Sequence, residues 1–417
     1  MAVRVNKSAF NIREKLSELA VKFGLKGSEL ARAETVQDAR DLVSAGRKNL
    51  IINGEFAVSQ RGTTFTYSGT NQDHTVYNSD RFTTQTFGSS FPSGNYLQIT
   101  QSSDVPTISQ AGTRFKNSQK IEVLQDISFG SGPNAVWTKH VVEGQNSANL
   151  GLGTSEASDF TVSFWVKSTK TGTITVNLKS SDSNLSYTTA ADISSADSWQ
   201  KIVKTIPGPT SGTFNTDTTA GLQLIITWSI DSGWIATSTL DTWNSGNFSG
   251  STTQSKMLIT DGDIIYLTGV QIEKGKNATD FEHRSYGEEF ALCQRYYQIY
   301  TLCTGNDGVG IMRGSLISGA SEITRILPVK MRASPTYARF GTNTNIAPEL
   351  TARRLNGATT DTIITVSTVT NITNYSSVDN ENNLIRFRFS PALVDGEPYA
   401  VWNDGQTFLM YSASAEL

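Results

Sequence analysis

Carboxylates that could hydrolyse a glycosidic bond lie in two groups along the chain. The first group is Asp261 and Asp263, and the second is Glu282, Glu288 and Glu289. Glycoside hydrolysis requires two carboxylates about 5–10 Å apart across a sugar-binding groove. Both groups lie beside predicted strand ends, where acidic turn residues are common. The chain also contains no G-x-S-x-G, Walker-type or H-E-x-x-H motif, so we expect no enzyme and no cofactor.

A structural calcium ion is a second chemistry that acidic residues at strand ends can support. Asp261 and Asp263 are its candidate ligands, together with Asp80 or Glu55. Carboxylates and backbone carbonyls are the ligands that calcium prefers. However, the spacing does not match a calcium-binding loop of the EF-hand type. A solvated turn is the favoured interpretation, and we predict no metal site.

Histidine and cysteine are too few for most metal or disulfide chemistry. The histidines are His74, His140 and His283, and the cysteines are Cys293 and Cys303. Two cysteines cannot complete a four-cysteine zinc site or a disulfide framework. We expect two buried, reduced thiols; a bridge between them would need an oxidising compartment.

Three tryptophans lie in a serine- and glycine-rich stretch, residues 228–248. They are Trp228, Trp234 and Trp243. Aromatic rings can stack on sugar faces, while amide and carboxylate groups bind hydroxyls. Long loops on a rigid scaffold commonly carry binding residues. We therefore predict these three residues as a candidate glycan site, with packing over an open end of the fold as the alternative.

The first 48 residues differ in kind from the rest of the chain. They contain ten basic and six acidic residues, whereas the whole chain has a net charge of −3. A helical stripe with 4-3-4 spacing is formed by Ile12, Leu16, Leu19 and Phe23. Basic residues that suit an acidic docking surface are Arg4, Lys7, Arg13 and Lys15. Because such a short helix is not stable alone in water, it needs a partner: its own domain, other copies of the chain, or another protein.

Residues 49–285 read as short strands separated by glycine, serine, asparagine and aspartate. The predicted strands are 96–100, 120–124, 160–167, 173–178, 200–206, 222–228 and 264–272. In the stretch FTVSFWVK, Phe160, Val162 and Phe164 share one face and Trp165 lies on the other. Several such strands with no helix between them predict an antiparallel β-sandwich of the jelly-roll type.

Residues 286–417 are predicted to form a smaller C-terminal β domain. Residues 288–300 suit a helical turn or two followed by a strand. Later strands are predicted at 323–329, 336–340, 362–369, 384–389 and 399–402. Gly287 and its surroundings are the predicted connection between the two domains. The fold class is thus mostly β, preceded by a short N-terminal helical anchor at residues 1–48.

Three stretches resemble a known group of proteins. They are residues 46–65 (GRKNLIINGEFAVSQRGTTF), 79–82 (SDRF) and 267–300 (LTGVQIEKGKNATDFEHRSYGEEFALCQRYYQIY). They are similar to phage virion proteins of the fibre or spike type, which contain a jelly roll like that of carbohydrate-binding modules. Residues 5–19 (VNKSAFNIREKLSEL) are similar to N-terminal anchors in fibre-like proteins of phages that infect marine bacteria and cyanobacteria.

The resemblance carries expectations about structure. It implies that residues 49–56 (NLIINGEF) and 265–273 (IYLTGVQIE) are neighbouring strands that close one sheet, because the first and last strands of a jelly roll are commonly neighbours. In the group motif, we interpret Phe281 as a plug at the end of the core. Gln271 and Glu273 are interpreted as hydrogen-bonding residues beside the strand ladder. All three assignments are structural rather than ligand-binding.

The resemblance also implies a function. It implies a virion protein, a trimeric tail fibre or spike, held to the particle by residues 1–48 and presenting β domains for host attachment. One alternative is a capsid fibre, decoration or tail connector that binds only virion proteins. Another is a lectin-like carbohydrate-binding module. Nucleic acid is not an expected partner because the net charge is −3. Membrane insertion is not expected either, because the sequence contains no apolar run of about 18 residues.

Overall fold

A computed structural model describes most of the chain beyond the N-terminal segment. The described residues are 48–69, 74–88, 91–129, 133–236, 239–304, 308–313, 321–333, 335–340, 350–354, 363–366, 368–374, 384–390, 398–403 and 408–417. The predicted anchor residues lie outside these ranges: Arg4, Lys7, Ile12, Arg13, Leu16, Leu19 and Phe23. The predicted anchor, and the domain boundaries drawn from it, therefore stay predictions.

Residues 64–274 form a β-sandwich. Its strands, in chain order, are β1 (Thr64–Ser68), β2 (His74–Ser79), β3 (Phe82–Phe87), β4 (Asn95–Ser102), β5 (Ser118–Val123), β6 (Ala135–Glu143), β7 (Phe160–Ser168), β8 (Gly172–Lys179), β9 (Leu185–Ile193), β10 (Gln200–Ile206), β11 (Ala220–Ile230), β12 (Ile235–Ala236), β13 (Trp243–Ser245), β14 (Gly250–Ser251) and β15 (Ile264–Lys274). Short helical segments are α1 (Ile108–Ala111), α2 (Gly144–Ser147) and a 3₁₀ turn at Ala148–Leu150. All seven strands predicted in this region are confirmed.

Two antiparallel sheets make up the sandwich, and β12 and β14 pair in parallel as a separate two-stranded sheet. The six-stranded sheet has the order β1-β4-β5-β15-β7-β10, and the seven-stranded sheet has the order β13-β9-β8-β11-β6-β3-β2. The chain changes sheet repeatedly, for example from β3 to β4 and from β6 to β7. This is the connectivity expected of a jelly-roll sandwich. The mostly β fold class predicted from the sequence is confirmed.

Alternation along the strands explains which side chains form the core. In β7, Phe160, Val162 and Phe164 are fully buried between the sheets. Trp165 points to the opposite face, where it packs with Phe115 in a separate aromatic cluster. Both faces of this strand are thus covered, as predicted. Phe281 packs against that outer cluster, with its ring 5.2 Å from Phe115, so the prediction that it plugs the end of the main core was wrong.

The predicted contact between the start and the end of the sandwich is confirmed. The Leu50 amide donates to the Ile272 carbonyl, and the Val270 amide donates to the Gly54 carbonyl, each at 2.9 Å. Residues 49–56 nevertheless form no strand, so the prediction that they close the sheet as a strand was wrong. Asn53 adopts a left-handed φ of 62°, and a residue in that conformation interrupts an extended ladder.

The predicted hydrogen-bonding role of the group motif is also confirmed. The Gln271 side chain donates to Glu273 at 2.9 Å and accepts from the Glu282 amide at 2.9 Å. Glu273 accepts from the amide and the hydroxyl of Thr279 at 2.8 and 2.7 Å. These contacts hold the turn after β15 against the sheet.

Helix α3 (Tyr286–Gln294) follows the sandwich and leads into β16 (Tyr297–Thr304), as the sequence predicted. Ser285 caps its first turn by accepting from the Glu288 amide at 3.3 Å. Cys293 is a fully buried free thiol that packs with Ile52 and Val58. Burial raises the pKa of this thiol. The connection that was predicted near Gly287 therefore packs closely against the sandwich.

Buried charges fix this connection further, in a set of contacts that we call the joint. Arg295 makes two hydrogen bonds to Glu143, at 3.0 and 2.6 Å, and the Tyr296 hydroxyl donates to the same carboxylate at 2.5 Å. Arg81 pairs with Glu416 and donates to a carbonyl of β6. Burial raises the pKa of the Tyr296 phenol. The joint thus links β6, the start of β3 and the last residues of the chain.

The remaining strands form three smaller antiparallel sheets. They are β17 (Gly308–Arg313), β18 (Ser321–Ile326), β19 (Thr336–Phe340), β20 (Leu350–Arg354), β21 (Ile363–Val366), β22 (Thr368–Asn374), β23 (Leu384–Ser390), β24 (Pro398–Asn403) and β25 (Phe408–Ser414). Their orders are β16-β25-β19, β17-β24-β20-β21 and β18-β23-β22. Strand β22 pairs with β23, whereas β21 joins another sheet. None of the helices in the described ranges is long and apolar enough to span a membrane.

Candidate binding face of the seven-stranded sheet

The structure separates the three tryptophans that the sequence grouped together. Trp228 is fully buried in the main core, and its indole N–H donates to Thr138 Oγ1 at 2.9 Å. An indole enclosed in this way has no free face for a sugar. The prediction of Trp228 as a glycan-binding residue was therefore wrong, because the alternation of β11 points it inward.

Trp243 and Trp234 lie in different places near the seven-stranded sheet. Trp243 is in the edge strand β13, where its N–H donates to the Pro207 carbonyl at 2.7 Å and its ring lies 5.5 Å from Tyr187. Trp234 is half-buried and packs edge-on against Trp137, with 5.5 Å between ring centroids. Only Trp234 thus lies with other aromatic rings on the outer face, meaning the side of this sheet that points away from the core.

Sequence reasoning missed the central aromatic residue of the outer face. Trp137 lies in β6, and the sequence analysis predicted no strand there. Its ring is 4.6 Å from Phe87 at the end of β3. The alternation of Ala135, Trp137 and Lys139 against Val136 and Val142 was the available signal, because the second set faces the core.

Two cross-strand rows run over the middle of the outer face. The Trp137 row consists of Gln85, Trp137 and Thr227, which are register partners on β3, β6 and β11. The Trp137 indole N–H donates to Gln85 Oε1 at 2.7 Å. That bond fixes the orientation of the ring and leaves the Gln85 amide nitrogen as a donor.

The Lys139 row lies two residues along the strands and consists of Thr83, Lys139 and Ile225. Thr83 is 4% exposed, and its hydroxyl has no hydrogen-bond partner within the described part of the chain. No described carboxylate makes an ion pair with Lys139; burial lowers the pKa of this lysine. The row therefore combines an unpaired cation with an unpaired hydroxyl.

The other half of the outer face is covered by the segment that follows β13. The Ser249 carbonyl accepts hydrogen bonds from Thr227 Oγ1 at 2.5 Å and from Asn177 Nδ2 at 3.0 Å. Lys179 donates to the Ser249 hydroxyl at 2.6 Å and to Asn247. Burial, with a further contribution from repulsion by Lys139, lowers the pKa of Lys179 to about 7. Residues 247–249 thus cover the outer side of β8. The Trp137 row and the Lys139 row lie beside this covered part of the outer face.

Four of the acidic residues considered for hydrolysis or calcium binding are held in separate structural contacts. Asp263 accepts from the amides of residues 259 and 260 at 3.0 and 2.8 Å. Asp80 accepts from Gln60 near the joint. Glu282 caps the amides of residues 48 and 49, at 2.8 and 2.7 Å, and Glu289 caps the Asn53 amide. No cluster of three metal-binding side chains occurs among the described residues, so the proposed calcium ligands are not brought together.

One arrangement of catalytic residue types was not foreseen. Thr113 Oγ1 lies 2.8 Å from His283 Nε2, and His283 Nδ1 lies 3.2 Å from Glu55 Oε2. A hydroxyl, an imidazole and a carboxylate in a row are the parts of a nucleophile–base pair. However, Glu55 also accepts from the Lys116 amide at 2.6 Å, and His283 packs between Phe115 and Phe281. These contacts indicate a structural role for the three side chains, which hold the loop after α1 against the end of the sandwich.

Comparisons with known proteins find similar folds only at a great distance. No family model matches the chain, and no curated protein matches it. A tailspike domain of bacteriophage CBA120, described as enzymatically active, is 12% identical with a TM-score of 0.28; the match covers 54% of this chain and 21% of the tailspike chain. This chain therefore spans about a fifth of that protein.

Two carbohydrate-binding modules are similarly distant. A family 61 module solved with β-1,4-galactotriose is 8% identical, with a TM-score of 0.27 and coverage of 55% of this chain and all of the module. The family 11 module of a Clostridium thermocellum cellulosomal cellulase is 9% identical, with a TM-score of 0.24 and coverage of 52% and 99%. These values are too low to carry an argument about function.

Proposed function

We propose that this chain is an adhesive protein of a phage particle. Residues 1–48 attach it to the particle, residues 49–285 form the glycan-binding sandwich, and residues 286–417 form a distal β domain. Like other fibre or spike proteins, it acts as a homotrimer and binds a glycan on the host surface. The outer face of the seven-stranded sheet is the observation on which the binding activity rests.

Contacts around Asn53 support the proposed architecture. The three stretches that resemble virion fibre proteins meet there: the Asn53 side chain donates to the Asp80 carbonyl at 2.9 Å, and the Asn53 amide donates to Glu289 at 2.6 Å. Arg284 donates to the Asn49 and Ile51 carbonyls at 2.5 and 3.0 Å. The shared residues therefore set how the chain enters and leaves the sandwich.

The outer face supports glycan binding through its residue types. Trp137, Trp234 and Phe87 form a compact aromatic cluster with centroid separations of 4.6 to 5.5 Å. Gln85 and Thr83 add polar groups along the same strand. Aromatic rings beside a few placed polar groups are the usual composition of a sugar site. Strands β3 and β6 hold Phe87, Gln85, Thr83 and Trp137 in place, whereas Trp234 lies in the bend before β12.

A glycan array with the full-length chain tests the binding activity. Trp234→Ala should weaken binding about tenfold or more, since a truncated aromatic contact at the centre of a site typically costs that much. Tyr286→Ala is the matched control, because Tyr286 is 63% exposed and lies on α3. Equal binding by wild type and Trp234→Ala would refute this site. Loss on Trp243→Ala instead would move the site to the β13 edge.

Particle incorporation tests the structural part of the proposal. Deletion of residues 1–47 keeps the Lys48 amide that donates to Glu282 at 2.8 Å, and it should remove the protein from assembled particles without unfolding the sandwich. Native mass measurement of the full chain should give a trimer. A connector or decoration protein would enter particles but bind no glycan. A monomer that is absent from particles but binds glycans would identify a lectin-like module and overturn the virion proposal.

A further inference from the structure

The Lys139 row contains donors without an acceptor. A lysine ammonium group has three donors and no acceptor, and a threonine hydroxyl can donate as well as accept. Thr83 and Lys139 are direct register partners, so their β-carbons are about 4.5–5.5 Å apart on one face. The Thr83 hydroxyl is buried without a partner among the described residues. The group that would satisfy both side chains is a negatively charged acceptor.

Nothing charged in the described structure supplies that acceptor. The third member of the row, Ile225, is apolar and 2% exposed. Repulsion by Lys139 contributes to the lowered pKa of the second lysine, Lys179. Among the described residues, the Lys179 ammonium group donates to the neutral groups of Asn247 and Ser249. A partly buried cation without a counter-charge is costly, and such groups mark functional sites more often than ordinary positions do.

The spacing of the rows fits a sugar chain with an acidic substituent. The Trp137 row lies two residues from the Lys139 row, a distance of about 7 Å at the rise of a β-strand. Phe87 lies another two residues along β3. Because Trp137 is 5% exposed, a sugar unit packs against the half-buried rings of Phe87 and Trp234. Phe87 lies four residues from Thr83, about 13 Å along β3, so an acidic substituent further along the same sugar chain reaches Lys139 and Thr83.

We propose that the outer face of the seven-stranded sheet selects acidic glycans, whose carboxylate or sulfate group binds Lys139 and Thr83. This inference rests on the proposed glycan-binding function and adds the class of ligand. Hydrogen bonds from an ammonium group to an anion are about twice as strong as neutral ones. The charged group therefore determines which glycans bind, whereas the aromatic cluster contacts neutral and acidic glycans alike.

Matched pairs of polysaccharides test the inference with the full-length chain. The probes are polygalacturonate against its methyl ester, and dextran sulfate against dextran, measured by titration calorimetry at low and high salt. We expect each acidic probe to bind at least about tenfold more tightly than its neutral counterpart, with a difference that shrinks as salt rises. Equal binding within both pairs would overturn the inference and leave glycan binding intact. No binding to any probe or to a glycan array would overturn both.

Variants at the row separate specific binding from general attraction. Lys139→Met should abolish the preference for acidic probes, and Lys139→Arg should keep it. Lys201→Met is the matched control, because Lys201 is an exposed lysine on β10 of the other sheet. An equal loss in the control would show nonspecific attraction and refute the site.

Stability of the free protein gives a second measurement. Because Lys139→Met removes an unpaired charge, it should leave the melting temperature unchanged or raise it; a lower melting temperature would show that the lysine is structural. Thr83→Val removes the unpaired hydroxyl without a change of shape and should weaken the acidic probes several-fold while the protein stays folded. Unchanged affinity in this variant would exclude Thr83 from the site.

Discussion

Glu143→Gln provides a direct test of the joint. Glu143 is the last residue of β6, and its fully buried side chain accepts two hydrogen bonds from Arg295 and one from Tyr296. The substitution keeps the shape of the side chain and removes its charge. Arg295 then loses its ionic partner, while the Tyr296 hydroxyl can still donate to the glutamine oxygen.

The expected magnitude follows from the burial of each partner. Breaking a buried ion pair by removing one charge costs about 3–5 kcal/mol. The Arg295 side chain is 24% exposed, so water recovers part of that loss, and the retained tyrosine hydrogen bond recovers another part. We therefore expect the joint to be destabilised by about 2–3 kcal/mol, or roughly a factor of 30 to 150 in the opening equilibrium.

Hydrogen–deuterium exchange is the appropriate assay because a chain with several sheets need not unfold in one step. Two amides report on the joint: Arg332 N–H donates to the Arg295 carbonyl at 2.9 Å, and Ala415 N–H donates to the Tyr296 carbonyl at 2.8 Å. Both should exchange faster by the factor above. Amides in the middle of β7 should not change, because they lie in the other sheet.

A pair in which both side chains are partly exposed provides the control. Glu122 pairs with Lys120 at 2.7 Å, but its side chain is 26% exposed. Glu122→Gln should therefore cost less than about 1 kcal/mol. Equal effects of the two glutamine substitutions would refute the reasoning. So would a double-mutant cycle of Glu143→Gln with Arg295→Gln that gave a coupling energy below about 0.5 kcal/mol.

Two further predictions concern a buried lysine and a close backbone approach. The pKa of Lys179 falls from 10.5 to about 7 in the folded protein, so the unfolded chain binds the additional proton between these values and the free energy of unfolding rises with pH in that window. Between about pH 6.5 and about pH 9.5, this lysine should raise the free energy of unfolding by about 3 kcal/mol. Denaturant titrations should show a smaller rise in Lys179→Met. An equal pH dependence in wild type and variant would contradict the assignment. Gly54→Ala should cost about 2–3 kcal/mol in the same titrations, because the new β-carbon would lie 2.1 Å from the Val270 carbonyl oxygen. The control Gly287→Ala has open space around it and lies in α3, where alanine is the better helix former; a similar loss in both variants would contradict the steric argument.

The amino-acid sequence by itself determined where seven of the fifteen strands between residues 64 and 274 form, and which residues of a strand share a face. Period-two alternation and turn residues are local properties, so β7 and β10 were predicted closely. The contact between residues 49–54 and β15 also followed from the sequence, through the resemblance of the two segments to one family.

Only the tertiary structure decided which face is buried and which distant residues meet. Trp228 and Trp234 are close together in the sequence. Their spacing does not show that the Trp228 side chain points into the core from β11 while the Trp234 side chain lies on the outer face. In the same way, Glu143 and Arg295 are 152 positions apart, and no local pattern relates them. Burial depends on how whole sheets pack. The contacts of the Lys139 row and of the joint could therefore not be predicted from the sequence alone.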